Sequence, residues 1–197
     1  MSNSFSFYTP TKIVFGKGTE SQTGSLVKEF GGTKALIVYG GSSAQKSGVL
    51  DRVAQSLQKA GIGCAQLGGV VPNPLLSKVR EGIALARKEG ADFLLGVGGG
   101  SAIDTTKAIA YGLANDGDVW DFYEHTRKPA ASLPVGAVLT IAAAGSEMSD
   151  SSVITDEASG KKRGCNSDLC RPKFAVMNPE LTLTLPDYQT QAGCADM

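Results

Sequence analysis

Short apolar runs alternate with segments of helical period from Ala35 to Met177, and this alternation restricts the fold more than any single residue. Ala35–Tyr39 is followed by a stretch carrying Leu50, Val53 and Leu57 on one face, at spacings of three and four. Ile62–Leu67 reads as a second strand. Pro72-Asn73-Pro74 then introduces a helix whose inner face carries Leu76, Val79, Ile83 and Ala86. Asp92–Val97 is a third strand, and the helix after it repeats through Ile103, Lys107, Ala110 and Leu113, with Lys107 expected at the rim. Pro134–Leu139 and Phe174–Met177 read as further strands. Strand–helix alternation of this kind predicts an α/β fold, a mainly parallel sheet with helices on both faces. Such sheets bind ligands beyond the C-terminal ends of their strands. Gly40–Ser43, Asn73, Gly98–Ser101 and Thr140 all fall at such ends, so four loops are expected to converge on one crevice.

Two stretches depart from the alternation. Phe5–Tyr8 and Lys12–Gly16 read as two strands joined through Thr9-Pro10, expected to form a separate edge ribbon. From Gly145 to Arg171 the chain is polar, with Val153–Thr155 as a brief strand, which predicts a hairpin or a mobile loop.

Charge narrows the partners. Lysine plus arginine equals aspartate plus glutamate, 19 each, which argues against a basic nucleic-acid surface or a polybasic membrane patch. No segment approaches the roughly 20 apolar residues that span a bilayer. No secretory signal is visible after Met1, so a cytoplasmic location is expected. Cys64, Cys165, Cys170 and Cys194 contain no C-x-x-C pair and are expected to stay reduced. The only histidine, His125, lies in a polar stretch and reads as a surface residue.

Gly98-Gly99-Gly100-Ser101, between a strand and a helix, carries the strongest chemical signal. Without Cβ atoms the backbone can approach a ligand closely. The helix behind it presents free N–H groups and the positive end of its dipole, which suits a phosphate. Ser101-x-x-Asp104 also reads as a capping box, with Ser101 as the N-cap. Gly16-Lys17-Gly18-Thr19 has the tail of a phosphate loop without its first glycine and reads as a turn. Gly40-Gly41-Ser42-Ser43 offers amides and hydroxyls where a carboxylate would hold a ribose 2′-hydroxyl, and Lys46 is near. That favours a 2′-phosphate, hence NADP(H) over NAD(H). Lys161-Lys162-Arg163 reads either as a solvated tip or as a cationic reach over the crevice.

Together these stretches resemble the iron-dependent (group III) alcohol dehydrogenases, near the NADPH-using butanol and aldehyde reductase branch. The resemblance runs through Phe7–Gly16, Tyr39–Ser43, Pro72-Asn73-Pro74, Gly96–Asp104, Ala144–Met148, Val153–Asp156, Asn178–Leu181 and Gly193–Asp196, in order. It implies a Rossmann-like, dehydroquinate-synthase-like dinucleotide domain over residues 1–185, with 186–197 opening a C-terminal helical metal-binding domain. It implies that Gly41 and Ser42 face the adenosine ribose and that Asn73 borders the cofactor. Gly99, Gly100 and Ser101 would hold the pyrophosphate, with Thr140, Ser149 and Lys162 reaching in from later loops. Gly40 stands where NAD-preferring relatives carry an aspartate. Ala144 departs from the family's usual threonine, and Ala142-Ala143-Ala144 removes hydroxyls from the phosphate wall.

In the family a divalent Fe²⁺ or Zn²⁺ polarises the substrate oxygen, held by an aspartate and three histidines. Asp196 matches the aspartate, and Met197 stands three residues before the first histidine would appear. The expectation is therefore a truncated NAD(P)-dependent alcohol dehydrogenase or aldehyde reductase that binds NADP(H), assigns no catalytic residue, holds no metal usefully and is inactive alone. A small alcohol or aldehyde would be its substrate only if the site were completed. The alternatives are a free-standing NADP(H)-binding domain and a subunit completed by another chain. A homodimer is expected, through the N-terminal ribbon or an uncovered face bearing Tyr188, Ala192 and Ala195.

Overall fold

The computed structural model describes Ser4 and residues 8–196. The chain opens with β1 (Lys12–Phe15), α1 (Thr23–Glu29) and β2 (Lys34–Tyr39). Two helices, α2 (Ser42–Lys46) and α3 (Val49–Lys59), lead to β3 (Gly63–Leu67) and α4 (Leu76–Glu89). Next come β4 (Phe93–Gly98), α5 (Gly100–Ala114), the short α6 (Trp120–Tyr123) and β5 (Val135–Leu139). Strands β6 (Ser151–Asp156) and β7 (Lys161–Asn166) precede β8 (Phe174–Met177), and α7 (Asp187–Asp196) ends the described chain.

Six strands form one parallel sheet in the order β1-β8-β5-β4-β2-β3. Successive side chains of a strand point to opposite faces, and both faces of the central strands are apolar. Leu36, Val38 and Leu94 pack with Val79 and Ile83 of α4 and with Ile109 of α5. Ile37, Phe93, Leu95 and Val97 pack on the other side with Leu26 and Val27 of α1 and Val53 and Leu57 of α3. The α/β architecture with helices on both faces follows directly from these uninterrupted apolar runs.

The N-terminal expectation needs correction. Instead of a separate ribbon, β1 is the edge of the main sheet, parallel to β8 with Lys12 opposite Phe174 and Phe15 opposite Met177. Val14 packs on the core while Phe15 is 71% exposed. Residues 5–7, where the other strand of the ribbon was expected, lie outside the described residues. The polar stretch after Gly145 resolves into the antiparallel β6–β7 hairpin, with Ser151 opposite Asn166 and Asp156 opposite Lys161.

Helices α1 and α3 touch at Gly24. Its amide donates to Ser56 Oγ at 2.9 Å, and that hydroxyl donates to the Ser21 carbonyl at 2.6 Å. A Cβ added at Gly24 would overlap the Ser56 carbonyl oxygen, which is backbone and cannot turn aside. Gly24→Ala is expected to lower stability by about 1–3 kcal/mol, the usual cost of overpacking. In urea unfolding the midpoint should fall while the slope stays constant.

Candidate functional site

The C-terminal ends of the strands open on a crevice of about 660 Å³. Gly40 and Gly41 line it after β2, Asn73 after β3, Gly98–Ser101 after β4, and Thr140 with Ile141 after β5. The four loops expected from the sequence do meet there, and Lys162 joins them from β7. Ser42 begins α2, but its side chain lies outside the described ones.

The β4–α5 junction builds the floor of the crevice. Gly98 sits at φ +154°, a conformation that L side chains rarely adopt, and a Cβ there would stand 2.9 Å from Ala102 Cβ. Gly99 then caps the helix through its carbonyl, which accepts from the amides of Ala102 and Ile103 at 3.1 and 3.2 Å. The cap has no side chain, so the positive end of α5 is left open to the crevice. This overturns the expected capping box. With the cap at Gly99, Ser101 is the second helical residue and makes no side-chain cap, while Asp104 lies too far along to fold back.

Asp104 instead faces sideways. Its Oδ2 accepts from the Val153 amide of β6 at 3.0 Å, and its Oδ1 is buried without a partner. The residue is only 9% exposed, yet it lines the crevice. Burial pushes the Asp104 carboxyl above its ordinary range, against the Val153 hydrogen bond and the positive charge of Lys107.

Lys107 corrects a second expectation. It does not reach the rim; its side chain is fully buried one turn beyond Asp104. Its ammonium donates to the Ser149 carbonyl at 2.8 Å, Ser149 Oγ at 3.1 Å and the Ser151 carbonyl at 2.8 Å. Burial lowers the Lys107 pKa, and the nearby charge positions of Cys170, Asp104, Asp150 and Glu147 oppose that shift. Ser149 accordingly engages Lys107 and does not line the crevice. Asp104 was misplaced by the capping-box reading and Lys107 by helical periodicity. The available signal was two opposite charges three residues apart in Ala102–Ala110, a segment otherwise built of Ala, Ile and Thr.

At the crevice mouth Lys162 Nζ donates to Asn73 Oδ1 at 2.8 Å. Asn73 adopts φ +56°, a left-handed conformation that asparagine accepts more readily than most residues. The Thr155 amide donates to the Pro74 carbonyl at 2.8 Å, fastening the hairpin to the same loop. Lys161-Lys162-Arg163 is therefore part of strand β7 and not a free tip. Asp196 lies in the last turn of α7, with its side chain outside the described ones. Among the described residues no three His, Cys, Asp or Glu side chains gather to hold a metal ion, and all four cysteines are free. No helix is long and apolar enough to cross a membrane among those residues.

Comparison with known proteins gives this geometry a context. A family model described as iron-containing alcohol dehydrogenase matches residues 10–179. The chain is 45% identical over 193 residues to the probable NADH-dependent butanol dehydrogenase 1 of Bacillus subtilis, covering 98% of this chain and 50% of that protein. It is 38% identical over 197 residues to the NADPH-dependent aldehyde reductase YqhD of Escherichia coli, covering 98% and 50%. The crystal structure of NADH-dependent butanol dehydrogenase A from Thermotoga maritima superposes with a TM-score of 0.95 at 44% identity, over 98% of this chain and 48% of that one. The chain spans about half the length of the curated relatives it matches.

Proposed function

The chain belongs to the iron-containing alcohol dehydrogenase family, and from that premise we propose that its crevice holds a nicotinamide dinucleotide, NADP(H) in preference to NAD(H). One observation carries this reading: the side-chain-free start of α5 opens on the crevice where the strand ends and Lys162 meet. It offers amides and a positive dipole end to a pyrophosphate. A Cβ at Gly99 would stand 2.5 Å from Ile141 Cγ2, so any other residue there must displace that side chain from the crevice wall.

Gly99, Gly100 and Ser101 would hold the pyrophosphate, Gly41 and Ser42 the adenosine ribose, and Asn73, Thr140 and Lys162 the remainder. Ser149 enters this reading through Lys107 and not through direct contact. The coenzyme, when bound, supplies or accepts the hydride exchanged with an alcohol or aldehyde. The protein residues bind and orient it. Asp196 is the proposed metal ligand in this chain. The described residues do not fit a metal ion by themselves, and their chemistry here is that of holding the coenzyme.

The coenzyme preference rests on Gly40–Ser43, which bring no carboxylate to repel a 2′-phosphate. Relatives named for each coenzyme exist, NADH for the butanol dehydrogenases and NADPH for the aldehyde reductase. Titrating the 197-residue polypeptide with NADPH and NADH by coenzyme fluorescence is expected to give saturable binding of both, tighter for NADPH. The same polypeptide, supplied with butanal and Fe²⁺ or Zn²⁺, is expected to turn nothing over, and to run at twice its 20.4 kDa mass through pairing at the β1 edge. Absence of binding would remove the assignment. Turnover would remove the claim of inactivity, and a monomer mass the claim of pairing.

A further inference from the structure

We propose that Lys107 is the positioning residue that docks the β6–β7 hairpin, and with it Lys162, over the crevice. The inference deepens the coenzyme reading above and rests on it. Alternate residues of a strand present their N–H and C=O groups along one edge, and four such residues of this segment meet donors or acceptors from outside the hairpin. The carbonyls of Ser149 and Ser151 accept from Lys107 Nζ, the Val153 amide donates to Asp104, and the Thr155 amide donates to Pro74. Side chains of α5 and, at Thr155, the backbone of Pro74 thus occupy the edge where a third strand would pair.

A two-stranded hairpin is marginal by itself, so its placement depends on these clamps. Lys107 is the strongest of them. An ammonium has three donors, and here all three are spent on the entry to β6. Across the hairpin, Thr155 stands opposite Lys162, so the docking of β6 fixes where the Lys162 ammonium emerges beside Asn73. The helix whose N-terminus forms the cradle therefore also sets the position of the cation at the mouth. Lys107 touches no ligand; it acts through the hairpin.

A double-mutant cycle tests this on the 197-residue chain, with NADPH as the probe. Lys107→Gln and Lys162→Ala are each expected to weaken NADPH binding about tenfold or more. If Lys107 works through Lys162, the double variant should bind no worse than the weaker single one. A merely structural lysine would lower the melting temperature and leave the two losses multiplicative. Wild-type affinity in a folded Lys107→Gln protein, or multiplicative losses, would overturn the inference. Should Lys107→Gln fail to fold, Lys107→Arg serves in its place. It keeps the charge, but its planar fork cannot aim at all three acceptors, so a severalfold loss, again absorbed in the double variant, is expected, and wild-type binding would overturn the inference. If the unmodified chain binds neither coenzyme, the coenzyme reading falls separately. Amide exchange then decides the clamp alone: faster exchange confined to residues 151–166 of the Lys107 variant supports it, and unchanged exchange overturns it.

Discussion

Gly99→Asp is expected to keep the fold and abolish coenzyme binding. Gly99 is the N-cap of α5 at φ −91° and ψ −166°, extended backbone open to any residue. Aspartate is a preferred N-cap, and exchanging glycine for it is worth a few tenths of a kcal/mol to a helix. Its charge also suits the positive end of the dipole. The new Cβ stands 2.5 Å from Ile141 Cγ2, and that half-buried side chain at the crevice wall must turn. The helix therefore survives, but its amides are now satisfied by a carboxylate of the chain itself. A pyrophosphate entering the cradle meets that carboxylate at close range, where two like charges about 4 Å apart repel by roughly 4 kcal/mol in a surface environment. At 1.4 kcal/mol per tenfold, the loss of NADPH affinity should exceed about 100-fold. Calorimetric titration measures it, with the melting curve as control. A folded Gly99→Asp protein that still binds NADPH normally would mean that the pyrophosphate lies elsewhere.

The same junction shows what a sequence can and cannot reveal. Strands β2, β4, β5 and β8 and helices α3, α4 and α5 were legible because each carries its own periodicity, an apolar run or a stripe at spacings of three and four. The crevice was legible for a related reason: once the sheet is parallel, the strand ends must share one edge. What failed was non-local. β1 looked like half of a ribbon because nothing near it in sequence reveals that its partner is Phe174–Met177. Lys107 was placed correctly on its helix and wrongly in space, since the carbonyls that make burial of an ammonium tolerable belong to Ser149 and Ser151. The helix cap slipped by two residues because the choice between Gly99 and Ser101 depends on the unusual φ of Gly98, a consequence of how β4 leaves the sheet. Asp104, released from the cap, became a clamp on the Val153 amide of β6.

The second large effect is expected at the other end of the crevice, where Gly40→Asp should reverse the coenzyme preference. Gly40 follows β2, and a Cβ there would stand 3.3 Å from the Val70 carbonyl oxygen, close enough to require a shift of a few tenths of an ångström and no more. Gly40 lines the crevice, so a carboxylate at residue 40 would be borne on its wall. Such a group accepts from a ribose 2′-hydroxyl and repels a 2′-phosphate. The two effects move the coenzymes in opposite directions: NADPH should bind about tenfold or more weakly, and NADH more tightly than before. Each tenfold corresponds to 1.4 kcal/mol, so the ratio of dissociation constants should swing by more than either value alone. Because the phosphate cradle lies on β4 and α5 and is untouched, the sum of binding competence is retained, which separates this result from simple damage. Equal weakening of both coenzymes would indicate damage at the β2 end. An unmoved ratio would show that Gly40 does not face the 2′ position, and the preference for NADP(H) would lose its support.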